Sequence, residues 1–284
     1  MRNNEERFGA IEQTTDPTPV IEKTEQFAYI TPTEAVEIPS KGILYPPEHP
    51  LYMQDTIEIR HMTAKDEDTL TSKALLKKGL AVDKMLNDII VDKRIKVDNL
   101  LIGDKNALIV AARISGYGEE YETKITCPSC GVNSQHTFDL NINTMAYPLP
   151  KEELDNLGII TTEKNTFIVR LPLSKIEVEI KLLTGLDERQ MVVKSQEQQK
   201  NNLPESTMTQ QMKYFIVSMN GETDRRKLTQ MVENIPAKDS KYLRTVYKNI
   251  NPNIELEQNF VCSACEFEDS MEVPFTADFF WPKR

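Results

Sequence analysis

An α+β fold is predicted: helical bundles joined to a split zinc-ribbon-like β module. Three observations predict it. Apolar residues recur at three- and four-residue steps up to Gly118 and alternate at every second position after it. The alternation returns near Ile254. All four cysteines fall into two C-x-x-C units, "CPSC" at Cys127 and Cys130 and "CSAC" at Cys262 and Cys265, each at the tip of an alternating stretch.

The elements follow in order. Residues 1–37 are polar, contain "TTDPTP", and have only Phe8, Phe27 and Tyr29 as aromatics, so they are expected to form a flexible arm. "IPSKGILYPPEHPL", from Ile38, carries four prolines and one glycine, which exclude a regular helix and predict an ordered extended segment. "DTIEIRHM" alternates as a short strand, with His61 at its end in a structural role. Thr63-x-x-Asp66 has the form of a capping box, Gly79 of a helix stop, and three short helices are expected between Thr63 and Gly118. This stretch, 38–118, is read as an N-terminal domain.

Tyr121, Thr123, Ile125 and Cys127 then alternate with polar residues, and Phe138 and Leu140 continue the pattern beyond the cysteine turn, the signature of a hairpin. "TFIVRLP" and "KIEVEIKLL" predict a further strand pair. Thr184-x-x-Asp187 opens a helix expected to fray in "SQEQQKNN". Met208, Met212, Phe215, Ile216 and Met219 form one helical stripe up to Gly221, and Leu243, Val246, Tyr247 and Ile250 another. Residues 119–140 and 254–282 are assigned to the β module, and 141–253 to an inserted α/β to helical domain.

Two thiolates from each tight turn reach one tetrahedral centre, so Cys127, Cys130, Cys262 and Cys265 are the candidate ligands of a structural zinc ion with no position left for water. The 132 positions from Cys130 to Cys262 make this a clamp between distant hairpins, unlike a compact ribbon. Other readings compete. A thioredoxin-like pair opens a helix, whereas "CPSCGVNSQHTFDL" reads as turn and strand. Unliganded cysteines filling a core are a second competing reading. Glu266, standing where the first knuckle has Gly131, argues for weak or lost metal. His136 is read as an exposed strand residue or as an outer donor to the site.

Charge and motifs narrow the function. A net charge of -10, from 44 acidic and 34 basic residues, repels a phosphate backbone. The longest aliphatic run, "ALIVAA", is too short to cross a bilayer, and the first residues lack a signal-peptide core, so an intracellular protein without membrane insertion is expected. No G-x-S-x-G elbow or phosphate-binding G-x-x-x-x-G-K-[ST] loop occurs. No catalytic residue is assigned, and the chain is read as not an enzyme.

"IPSKGILYPPEHPL" at Ile38–Leu51, "MTAKDEDTLTSKALLKKG" at Met62–Gly79, the "CPSCG" hairpin and "VPFTADFFWP" at Val273–Pro282 together carry a resemblance. In this order they resemble the baseplate hub assembly proteins of T-even-type contractile-tailed bacteriophages. The resemblance implies a non-enzymatic assembly factor or structural subunit of the hub. It further implies other baseplate hub proteins as partners, assembly in the host cytoplasm, and a place in the virion tail baseplate. It brings no catalytic residues. The alternative is a zinc-ribbon nucleic-acid-binding or transcription-related adaptor, which predicts basic flanks where Glu119, Glu120, Glu122, Glu266, Glu268 and Asp269 stand. A thiol redox enzyme is a third class. Phe279, Phe280 and Trp281 are expected to be tucked into the body, at least in part, or offered to a partner.

Overall fold

The computed structural model describes residues 31–200, 207–274 and 277–280. From Pro32 on, the described residues form one compact unit. Strand β1 (Thr33–Glu37) pairs antiparallel with β2 (Thr56–Arg60), burying Val36, Ile57 and Ile59. Thr33–Glu37, placed in the arm on the sequence, is therefore a strand; residues 1–30 of that segment lie outside the described residues. The proline-rich connection between the two strands, expected to be extended, is instead a run of turns closed by bonds three residues apart, such as Lys41 N–H to Ile38 O and Ile43 N–H to Ser40 O, and is held from the side by a buried carboxylate. Asp104 accepts from the Ser40 N–H (2.9 Å), the Ser40 hydroxyl (2.7 Å) and the Tyr45 hydroxyl (2.6 Å), while the Leu101 N–H donates to Tyr45 Oη. Burial pushes the Asp104 carboxyl up from its ordinary value, against the pull of these donors.

Four helices follow where three were expected. α1 (Ala64–Thr71) begins with the expected capping box: Asp66 accepts from the Thr63 N–H and also takes a forked Arg60 guanidinium. The chain breaks at Ser72, whose extended ψ of 108° ends α1 and starts α2 (Lys73–Lys78). Gly79 then closes α2 in the left-handed region at φ 68°. α3 (Ala81–Ile89) and, after a 3-10 turn at Val97–Asn99, α4 (Ile102–Tyr117) build the helical core. α4 runs past Gly116 to Tyr117.

β3 (Glu120–Thr126) and β4 (Asn133–Asp139) form the first cysteine hairpin, with Tyr121, Ile125 and Phe138 buried. β5 (Thr144–Ala146) and α5 (Lys151–Asn156) lead into an antiparallel sheet of β6 (Ile159–Thr161), β7 (Phe167–Arg170), β8 (Glu177–Ile180) and β9 (Ile216–Met219). Between β8 and β9 lie α6 (Gly185–Lys200) and α7 (Thr207–Phe215).

Two expectations are corrected here. α6 continues through "SQEQQK" to Lys200 where fraying was expected, Asn201 and Asn202 lying outside the described residues; none of those six side chains disfavours a helix strongly. The methionine stripe is not one helix to Gly221: α7 stops at Phe215, and Ile216–Met219 pairs with β8. Helical spacing is satisfied there, but β-branched Ile216 and Val217 beside an open sheet edge favour the ladder.

α8 (Arg225–Glu233), capped by Asp224, and α9 (Ala237–Ile250) follow. The buried Asp239 of α9 accepts from the Leu173 and Ser174 N–H groups at 2.8 Å each, fixing the β7–β8 turn. β10 (Asn253–Glu255) pairs with β5, and β11 (Glu257–Val261) with β12 (Glu268–Glu272), the second cysteine hairpin. A 3-10 turn at Ala277–Phe280 buries Phe279 and Phe280 as expected; Trp281 lies outside the described residues.

Candidate metal centre

The two hairpins are brought side by side by the strands at their bases. β5 follows the first hairpin and β10 precedes the second, so their three-residue pairing aligns the two. α4 backs β10 so closely that a Cβ on Gly103 would collide with the Pro252 carbonyl. Gln258 then joins the hairpins as a strand would. Its Oε1 accepts from the Asp139 N–H (3.1 Å) and its Nε2 donates to the Asp139 carbonyl (2.6 Å). No sequence signal marks this glutamine.

The hairpins also share an aromatic contact. The half-buried His136 ring lies edge-on to Phe138 of its own hairpin (4.6 Å) and to Phe260 of the other (5.5 Å). Its role is thus packing between the hairpins rather than strand exposure. Tyr121 meets Phe279 at 5.0 Å, which ties the 3-10 turn to the same cluster.

The two knuckles have the same backbone. In the first, Cys127 N–H donates to Val132 O and Gly131 N–H to Cys127 O; in the second, Cys262 N–H donates to Phe267 O and Glu266 N–H to Cys262 O. The residue after the second cysteine has positive φ in both, 73° at Gly131 and 56° at Glu266. Glu266 therefore accepts left-handed strain where the first knuckle uses glycine. In each knuckle the first cysteine is buried and the second exposed.

The four sulfurs converge. All lie within 4.8 Å of one another, with Cys127 Sγ to Cys265 Sγ and Cys130 Sγ to Cys262 Sγ both 3.7 Å. A disulfide would need about 2.05 Å. A tetrahedron with sulfurs about 2.3 Å from its centre has edges of about 3.8 Å, so the donor set fits a tetrahedral thiolate ion. The sulfurs influence one another's ionisation. The Ala264 and Cys265 N–H groups lower the Cys262 thiol to about 6. The Val132 N–H favours ionised Cys130, but its sulfur neighbours, led by Cys265, and burial push that thiol up to about 12. Four thiols at this spacing resist full ionisation unless a cation compensates the charge. The structure thus brings all four sequence-predicted residues together as a group able to hold a metal ion.

Fold and site define an α+β protein whose two cysteine hairpins, one early and one late in the chain, close on a single four-sulfur cluster. The family described as T4 bacteriophage base plate protein matches residues 33–281, and the chain belongs to it. Membership gives a structural or assembly role in the phage tail baseplate, contacts with other baseplate proteins, and the virion tail baseplate as location. No curated protein and no solved structure matches the chain. Among the described residues no helix is long and apolar enough to cross a membrane.

Proposed function

We propose that the protein is a non-enzymatic component of the baseplate hub, an assembly factor or retained subunit, and that Cys127, Cys130, Cys262 and Cys265 hold a structural zinc ion. The observation carrying this reading is the convergence of the four sulfurs in a member of a baseplate family. Zinc would fasten 119–140 to 254–282 and so fix the ends of the inserted 141–253. Because the unfolded chain has no preformed site, binding would add to folding stability. A body stiffened in this way presents fixed surfaces to other hub proteins during assembly in the host cytoplasm. The acidic residues flanking the knuckles, Glu119, Glu120 and Glu122 with Glu266, Glu268 and Asp269, weigh against nucleic acid as the partner.

Metal analysis of protein purified under reducing conditions tests the centre. One zinc per chain is expected, as is a cobalt-substituted form with the absorption bands of a tetrahedral thiolate site. Protein that neither retains zinc nor takes up cobalt would remove the ion from the proposal. Proteomics of purified hub subassemblies and virions tests the role, and absence from both would refute it.

A further inference from the structure

In a chain of net charge -10, one groove is lined by cations. α2 buries none of its residues, and α6 buries only Gly185 and Asp187, both in its first turn. Val192 and Val193 of α6 are left 40% and 45% exposed. A helix gains most of its stability from packing an apolar face; α6 packs Met191 against the core but leaves Val193 half exposed.

Between α2 and α6 lies an open groove of about 980 Å³, rimmed by Lys77, Lys78, Arg189, Lys194 and Lys200, with Glu197 the acidic residue among its lining. Leu80, Val193 and the Tyr214 ring give it an apolar floor. A smaller cavity of about 270 Å³ shares Lys194 and Tyr214 with it and adds Lys181, Lys213 and Arg225, against Asp187. Some of these charges are already engaged: Lys181 by Asp187, Arg189 by Asp98 and Lys213 by Glu233. Among the described residues Lys77, Lys78 and Lys194 form no salt bridge.

An apolar floor with a basic rim that is only partly compensated complements an amphipathic helix whose apolar stripe is flanked by carboxylates. A second copy of this acidic chain is repelled overall, and a nucleic acid is repelled likewise and has no use for the floor. We infer that the groove between α2 and α6 receives an acidic amphipathic helix of another baseplate protein. This deepens the proposed role and rests on it for the partner's identity.

The test uses the full chain and a fluorescent synthetic helix of about 18 residues, about five turns, with leucines at i, i+3, i+4 and i+7 and glutamates beside them. A lysine counterpart and a short DNA duplex serve as controls. Anisotropy should show binding of the glutamate helix alone, weakening with salt. The triple variant Lys77→Glu, Lys78→Glu, Lys194→Glu should lose at least about tenfold in affinity, and Val193→Asp should also weaken binding, both with unchanged circular dichroism. Duplex bound more tightly than the glutamate helix, or a glutamate helix indifferent to both variants, would overturn the inference. In phage complementation the triple variant should fail to enter baseplates. Entry equal to wild type would overturn the groove and leave the baseplate role intact, whereas absence of the wild-type chain from baseplates would refute the role and not the groove chemistry.

Discussion

Arg113 is fully buried, and its guanidinium reaches three segments at once. Nε donates to Phe279 O at 2.7 Å, Nη1 to Gly118 O at 2.6 Å and Nη2 to Glu120 O at 2.8 Å. One side chain of α4 thereby satisfies the end of its own helix, the start of β3 and the C-terminal 3-10 turn. No carboxylate pairs with it among the described residues, so its charge is balanced by carbonyl dipoles. Arg113→Met keeps most of the volume and removes all three donors. Hydrogen bonds from a charged group contribute about 1.5–3 kcal/mol each, and the variant regains part of this by no longer burying a charge, which leaves a net loss of about 3–5 kcal/mol. At about 2–4 °C per kcal/mol for a domain of this size, the melting temperature should fall by about 6–20 °C. Urea titration followed by circular dichroism measures the loss directly. Arg113→Lys should recover little, because one ammonium cannot reproduce the planar fork. A loss below about 1 kcal/mol at unchanged m-value would refute this account of the three-way link.

Asp66 gives a pH signature: burial raises its carboxyl, but Arg60 and Thr63 bring it below its ordinary value. Its contribution is therefore present above the unfolded pKa of about 3.9 and lost as pH falls through the lower folded value. Asp66→Asn should be less stable than wild type at neutral pH, with the gap closing in acid; a gap constant with pH in denaturant titrations would contradict this. Gly103→Ala separates propensity from packing. Alanine favours an isolated helix by about 1 kcal/mol, but the collision with Pro252 should reverse the sign and destabilise by about 1–3 kcal/mol. A raised melting temperature would show that α4 does not sit so tightly on β10. Glu266→Gly relieves the left-handed strain of the second knuckle and should stabilise by about 0.5–1 kcal/mol, read from the urea midpoint; destabilisation would show that the carboxylate itself matters there.

What could be read in the sequence was local or paired. The Thr63 capping box, the left-handed Gly79 and the β3–β4 alternation are each specified within a few residues, and each takes its expected form. The four sulfurs were legible because two C-x-x-C units with no cysteine left over suggest one shared centre. What escaped was decided by distant neighbours. Ile216–Met219 keeps helical spacing yet becomes a strand because β8 offers an edge, and the β5–β10 pairing joins three-residue strands more than a hundred positions apart. Gln258 and His136 gain their roles only once the hairpins lie together.

The two knuckles are separated by 132 positions, and this has a consequence during synthesis. While the ribosome is still translating the middle of the chain, Cys127 and Cys130 have emerged without Cys262 and Cys265. Until those arrive they are two ligands short of the four-sulfur cluster. Closing so long a loop adds little entropy beyond that of a moderate one, but it must come late. A nascent chain interrupted before Cys262 has no second pair, so the two hairpins can meet only once translation has passed the end of β12 at Glu272.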